Sequence, residues 1–430
     1  MEKKTNFRWT VVALLFFATT INYLDRQVLG LLKPTLEAEF NWSETDYAKI
    51  VMAFSAAYAL GLLLYGGFVD RVGTKIGYTI SIIVWSVAAM FHAAARSTLG
   101  FVLARASLGL GEAGNFPVAI KATAEWFPKR ERALATGIFN SGANIGAVVA
   151  PIMVPWILGV YGWEEAFIIT GAIGFIWLGF WWFMYEVPAR KKGISKEEYD
   201  YIHSDQEEEA EEEVKEKPTA KSWFKLFSIK QTWAFVFGKF LTDPVWWFFL
   251  YWLPSYFAST FKLDLTKPSP HLAILYTATT IGSIGGGYLS GYFIKRGMPV
   301  FKARKTAMLL FALIVVPIVF AQYCTNIWQA VALISLAAAS HQAWSANIFT
   351  TASDMFPKKA VSSVVGIGGM AGSIGGILFP LFVGHILDSA KAAGNINTGY
   401  NLIFIICGLA YLFAWVVMHF FAPRMEKVKI

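Results

Sequence analysis

The sequence predicts an all-α membrane protein of twelve transmembrane helices in two pseudo-symmetric six-helix bundles. Three observations predict it: an apolar, charge-poor composition, twelve apolar stretches of spanning length, and a motif that recurs at a fixed offset. Of 430 residues, 56% are hydrophobic and 15% are charged. A soluble chain carries about a quarter charged residues, whereas a bilayer demands about twenty apolar residues per spanning helix. The net charge of +8 does not point to nucleic acid, because the basic residues sit in short loops between apolar runs. Cys324 and Cys407 both lie in apolar runs and support neither a disulfide framework nor a metal site.

The apolar segments cover about 9–32, 46–69, 76–95, 98–121, 131–158, 164–185, 229–258, 270–293, 304–324, 327–350, 360–386 and 400–421. Runs of this length must be helical, since lipid cannot satisfy open backbone groups. Lys3, Lys4 and Arg8 before the first run imitate a signal peptide, but no small-residue cleavage site follows, so a retained first helix is expected. The seventh segment is interrupted by Lys239, Asp243 and two prolines and is the least regular. Lys and Arg concentrate on alternate loops, including Arg71/Lys75, Lys129/Arg130/Arg132 and Lys358/Lys359. That bias predicts that both termini are cytoplasmic. Residues 188–226 are polar, with an acidic run from Glu207 to Glu213, and cannot bury a core. They read as a cytoplasmic linker between an N-terminal bundle, 1–187, and a C-terminal bundle, 227–430. The run lacks the alternating ligands and turn glycine of a calcium loop.

The repeat fixes this division. Glu125-Trp126-Phe127-Pro128-Lys129 aligns with Asp354-Met355-Phe356-Pro357-Lys358, and Gly137, Gly146 and Pro151 align with Gly366, Gly375 and Pro380 at the same offset of 229 residues. Two six-helix halves of parallel origin follow. The loop after segment two carries Gly66, Asp70, Arg71, Gly73 and Lys75. An acid at a helix end beside basic residues can clasp a neighbouring helix in one conformation and release it in another. Its second-half counterpart has Lys295 where the acid belongs, so an asymmetric clasp is expected.

Charges inside the apolar runs carry the functional reading, because each costs about 2.5–3.5 kcal/mol on insertion scales unless it meets a wet cavity or a partner. Asp25 and Arg26 lie in segment one, Arg105 and Glu112 in segment four, Lys239 and Asp243 in segment seven. Asp25 has the opposite charge of Arg26 in reach. Arg105 and Glu112 share a helix face about 10.5 Å apart, which leaves Arg105 to hold an anion and Glu112, among Gly109, Leu110, Gly111 and Ala113, to carry a proton. Lys239 and Asp243 are four residues apart and suit a private ion pair. Asn22, Tyr58, Asn140 and Asn144, with His341, Gln342, Trp344 and Asn347 in segment ten, supply donors and acceptors of the kind a polyol acid requires. By the repeat, His341 is the mate of Glu112. No nucleophile–His–acid set or metal cluster falls on matched helices, so neither an enzyme nor a cofactor or metal site is expected.

Asn22-Tyr23-Leu24-Asp25-Arg26, Ser55-Ala56-Ala57-Tyr58, Gly66 to Lys75, Arg105 with Glu112, Ala124 to Pro128 through Arg132, and Trp247 to Phe257 resemble the anion:cation symporter family of the major facilitator superfamily. Asp70 to Tyr78 with Lys121 to Phe127 are most similar to bacterial hexuronate transporters. The resemblance implies proton coupling at Asp25 and Glu112, and a substrate or coupling site at Arg26, Tyr58 and Arg105. Position alone adds Asn22, Lys239, Trp344 and Asn347 as substrate-binding candidates. The expected activity is proton-driven import of a sugar acid, a hexuronate first, by alternating access. Galactonate, glucarate or a tartrate-like anion, or efflux by the same fold, are the alternatives. The expected partners are a small organic anion, protons with sodium open as coupling ion, and the bilayer of a bacterial inner membrane, the chain acting as a monomer without nucleic acid.

Overall fold

The computed structural model describes residues 5–42, 44–204, 220–262 and 270–428, and the acidic run Glu207 to Glu213 lies outside them. The helices are α1 (Phe7–Phe40), α2 (Glu44–Val72), α3 (Thr74–Phe91), α4 (Thr98–Glu112), α5 (Asn115–Trp126), α6 (Lys129–Val160), α7 (Trp163–Met184) and α8 (Lys196–His203). They continue as α9 (Ala220–Lys225), α10 (Lys230–Tyr251), α11 (Leu253–Phe261), α12 (Pro270–Lys295), α13 (Val300–Val315), α14 (Ile327–Met355), α15 (Lys358–Ala392) and α16 (Ile396–Phe421). Twelve spans result, because α4 with α5, and α10 with α11, each form one broken span, and α13 extends into a 3-10 turn, Val316–Tyr323. The break in the fourth span was not visible in its apolar run. It falls at Ala113–Gly114, where the Ser81 hydroxyl donates to the Gly111 carbonyl at 2.6 Å. That bond satisfies a carbonyl which lipid would leave orphaned.

The repeat is repeated in the backbone. α6 and α15 both start after a proline, Pro128 and Pro357, in matching extended conformation. A proline there costs nothing, since the first amides of a helix have no intrahelical partner. In the first half α1 packs on α6, α2 on α4 and α3 on α7; in the second α10 packs on α15 and α12 on α14. Two seams join the halves, α2 against α15 and α6 against α12, and the repeat exchanges them. At the α6–α12 seam Gly137 meets the Ser283 backbone and Gly287 meets the Ala133 carbonyl, so closely that a Cβ on either would overlap main chain. Small residues at such crossings let helices approach and slide. The outer faces carry exposed Ile152, Ile176, Phe183, Leu381 and Phe420, an apolar band too extensive for water and suited to lipid.

Residues between the halves anchor to the first. α8 follows Ser195, whose hydroxyl accepts from the Glu198 amide at 3.2 Å. The buried Glu198 carboxylate then caps α1 from 190 residues away: it accepts from the Phe7 amide at 2.9 Å, the Arg8 amide at 3.0 Å and the Thr5 hydroxyl at 2.5 Å. These are the orphan donors of a helix start. Arg8 also bonds Glu131 of α6 at 3.2 Å, and Tyr201 donates to Glu131 at 2.7 Å. Burial alone would push the Glu198 carboxyl up, but the Thr5 hydroxyl, the two amides and the Arg8 charge outweigh it and hold the carboxyl below its usual range. Its stabilisation is therefore present above about pH 4.3, the ordinary glutamate value, and is lost as pH falls through the lower folded value. Glu198→Gln should lower stability at neutral pH by about 1.5–3 kcal/mol, the scale of charged hydrogen bonds. Thermal unfolding in detergent checks this, and the gap to the unsubstituted protein should narrow in acid.

Candidate functional site

A cavity of about 740 Å³, counting the solvent at its mouth, lies between the halves at mid-span. Tyr23, Arg26, Tyr58, Phe116 and Asn140 line it from the first half; Lys239, Asp243, Trp246, Trp247, His341 and Gln342 line it from the second. Arg26 is the central cation. Its Nε donates to Glu112 Oε2 at 3.0 Å and its Nη2 reaches the same oxygen at 2.9 Å. Nη2 also meets Asn22 Oδ1 at 3.4 Å. The guanidinium lies over the rings of Tyr23, Phe54 and Tyr58 at 4.6, 5.0 and 4.7 Å. Three aromatic faces and one carboxylate oxygen hold it, while Glu112 Oε1 is buried without a partner.

The pairing differs from the one read from adjacency. Asp25 was expected beside Arg26, yet neighbours on a helix point about 100° apart and do not face each other. Asp25 is buried, and among the described residues neither of its oxygens accepts a hydrogen bond of ordinary geometry. Thr170 of α7 and the charges of Glu112 and Arg105 are its polar surroundings. Arg105 was expected to be free for an anion. It is buried outside the cavity lining, donates to the Arg26 carbonyl at 3.2 Å and lies over Phe54 at 5.6 Å. The separation from Glu112 by two turns holds, but Arg26 fills the gap.

On the opposite wall Lys239 pairs with Asp243 at 2.8 Å and lies 4.0 Å over Phe349. His341 Nδ1 meets the Tyr411 hydroxyl at 2.5 Å, and its ring stacks on Trp246 at 5.2 Å. Trp344 and Asn347 are turned away, contrary to expectation. Trp344 is fully buried with its ring edge-on to Tyr411, and Asn347 donates to the Gly286 and Ala343 carbonyls, each at 2.9 Å. At about 100° per residue, His341, Gln342, Ser345 and Phe349 share one stripe of α14, and positions 344 and 347 fall beside it. Period counting along α14 would have chosen that stripe. At the cavity floor Asn140 donates through Nδ2 to Gln342 Oε1 at 2.9 Å and to Ser283 Oγ at 3.2 Å, bridging the halves. Among the described residues no cluster able to hold a metal ion occurs.

Below the floor, on the side of the chain termini, the halves are tied. Asp70 Oδ1 accepts from Lys121 at 2.8 Å, and Oδ2 accepts from the Ser363 amide at 2.7 Å and hydroxyl at 2.6 Å. Gly66 lies against the Ser362–Ser363 backbone, and Gly73, with φ of 86°, makes the turn into α3. Arg71 is exposed, and Lys75 pairs with Glu186 at 3.2 Å within its own half. The counterpart seam uses residues outside the expected motif. Asp354 accepts from Arg304 at 3.0 Å and from Arg132 at 3.4 Å, and Arg304 reaches the Lys129 carbonyl at 2.6 Å. Asp354 was in the repeat, as the mate of Glu125, but its partners come from helices no local pattern connects. Asp70→Asn removes the charge that binds α15. A charged hydrogen bond contributes about 1.5–3 kcal/mol, so the ratio of sealed to unsealed protein should fall roughly 10- to 100-fold. Distances between spin labels at the terminal ends of α2 and α15 would report it.

Residues 15–380 match the Major Facilitator Superfamily model. A hexuronate transporter of Escherichia coli strain K12 is 34% identical over 392 residues, covering 90% of this chain and 90% of that protein. A D-galactonate transporter of Escherichia coli O6:H1 is 30% identical, covering 88% and 89%. Among solved structures, a proton:xylose symporter bound to 6-bromo-6-deoxy-D-glucose superposes with a TM-score of 0.73 at 15% identity, over 98% of this chain and 97% of that one.

Proposed function

The chain belongs to the Major Facilitator Superfamily, a multi-pass membrane transporter, and from that premise we propose that it is a proton-coupled symporter importing a sugar acid anion, a hexuronate such as glucuronate or galacturonate. The names of its hexuronate and D-galactonate relatives support the substrate class. The observation that carries the coupling is the pair formed by Arg26, on the cavity wall, with the buried Glu112 behind it. A substrate carboxylate needs Arg26, and Glu112 occupies it. A proton on Glu112 removes the competing charge, and the guanidinium turns to the substrate. Proton and anion then cross together with no net charge, which avoids the cost of carrying a bare ion through hydrocarbon.

The remaining residues take parts in the same cycle. Asp25, behind the site, shares the one coupling proton with Glu112, and Arg105 positions Arg26 through its carbonyl. Tyr58 and Asn22 hold the guanidinium in place. Lys239, with Asp243, gives the second-half wall a matching ion pair. Residues 1–187 and 227–430 rock about the cavity as two bundles, with 188–226 as the link. Basic residues on the face of the termini argue that this face is cytoplasmic, in a bacterial inner membrane. The clasps at Asp70 and Asp354 close the cavity on that side.

Proteoliposomes holding the purified protein provide the test. Labelled glucuronate should accumulate under an inwardly directed pH gradient, and a protonophore should collapse the accumulation. Unlabelled galacturonate and D-galactonate, added in excess, rank the substrates. Accumulation that needs sodium and ignores the pH gradient would replace the proton in this scheme. Absence of any sugar-acid uptake would end the proposal.

A further inference from the structure

The floor of the cavity holds two amides in an unusual state of satisfaction. Asn140 of α6 and Gln342 of α14 are each about 5% exposed and both line the cavity. Asn140 uses both amide hydrogens, one to Gln342 Oε1 at 2.9 Å and one to Ser283 Oγ at 3.2 Å. Ser283 in turn donates to the Gly137 carbonyl at 2.9 Å. Asn140 Oδ1 and Gln342 Nε2 are left over, and among the described residues neither side chain has a further hydrogen bond. One is an acceptor and the other a donor, on amides that share a hydrogen bond. A single group that satisfies both must be at once donor and acceptor; a hydroxyl is such a group, as is a water that it would displace, whereas a carboxylate is acceptor only.

We propose that Asn140 and Gln342 are specificity-determining residues that read one hydroxyl of the substrate, selecting a polyhydroxylated acid over a plain carboxylate. The hydroxyl donates to Asn140 Oδ1 and accepts from Gln342 Nε2. It thereby competes for the amides that bind the two halves together at the floor. A substrate with a hydroxyl in the right place supplies replacement bonds as the halves part, and an empty or wrongly filled cavity does not. Selection and opening thus use the same two side chains. This rests on the sugar-acid reading above and adds which part of the sugar is sensed and where.

Binding of glucuronate and of cyclohexanecarboxylate, the same ring size without hydroxyls, is measured by thermal shift and by competition on the full-length protein. A site built around a substrate hydroxyl rejects the analogue lacking it by about 10⁴-fold. Asn140→Ala and Gln342→Ala should each shrink the preference about tenfold or more, and substrate-free proton leak through proteoliposomes should rise. Gln342→Glu keeps the acceptor for Asn140 and removes the donor, so it should lose preference with little added leak; it also serves if an alanine variant fails to fold. A merely structural bond would change stability and leave the ratio of the two ligands alone. Unprotected binding of both ligands at equal strength by all variants and the unsubstituted protein, or an unchanged ratio in folded Gln342→Glu, overturns the proposal while glucuronate transport stands. No glucuronate binding by the unsubstituted protein removes this inference together with the sugar-acid reading.

Discussion

Arg26→Ala should abolish sugar-acid binding and transport, with affinity falling by about a hundredfold or more. The guanidinium is the cavity-lining cation nearest the buried acid of the first half, and it is held by Glu112, Asn22 and three aromatic rings. Truncating one partner of a buried hydrogen-bonded charge pair costs about 2–5 kcal/mol, and 1.4 kcal/mol is tenfold. Part of that cost falls on Glu112, left buried without a cation. The double variant Arg26→Ala with Glu112→Gln separates the two effects. It should regain thermal stability without regaining binding. Arg26→Lys keeps the charge but gives up the planar fork that stacks between rings, so partial binding is expected there. Equilibrium binding of labelled glucuronate to detergent-solubilised protein is the measurement, and full affinity in Arg26→Ala would remove the anion site from this wall.

Glu112→Gln should leave binding and counterflow intact and eliminate accumulation. Glutamine is nearly the same size and cannot carry a proton, so Arg26 is no longer withheld from the substrate at any pH. In an electroneutral cycle with one proton per anion, a pH difference of one unit sustains about a tenfold accumulation, equivalent to 1.4 kcal/mol. The variant should equilibrate glucuronate at a ratio near one under the same gradient, and its binding should lose its dependence on pH. Exchange of internal for external substrate is the control, since it demands rocking but no net proton movement. Gradient-driven accumulation that survived in Glu112→Gln would move the coupling to Asp25 or elsewhere.

The architecture was readable from the chain because the bilayer imposes it. Length, apolarity and the ungapped repeat locate all twelve spans, and α6 and α15 start at aligned lysines, Lys129 and Lys358. Hydropathy alone is weaker: among the described residues it marks eight helices as long and apolar enough to span. The spans it passes over, α4 with α5, α10, α12 and α14, are those where charged, polar and small residues build the cavity and the seams. The intramembrane charges Arg26, Glu112, Lys239 and Asp243 were visible as costly exceptions; Arg26, Lys239 and Asp243 line one cavity, and Glu112 pairs with Arg26 from behind its wall. Their partners were not visible. Arg26 meets Glu112 across 86 residues, which only the packing of α1 near α4 decides. Asp354 likewise needs Arg132 and Arg304 from two other helices. On α14 the stripe through His341, Gln342 and Ser345 could have been chosen by angle, and Trp344 and Asn347 drew attention by residue type instead.

The α6–α12 crossing sets a boundary for anyone who would retrain this protein on a new compound. Where Gly137 presses on Ser283 and Gly287 on Ala133, main chain meets main chain, and no larger residue fits. Random mutagenesis will waste most of its variants there. A focused library belongs at Phe116, Trp246, Ser345 and Ser373, which border the cavity, where altered volume changes the cargo and leaves the hinge of the machine untouched.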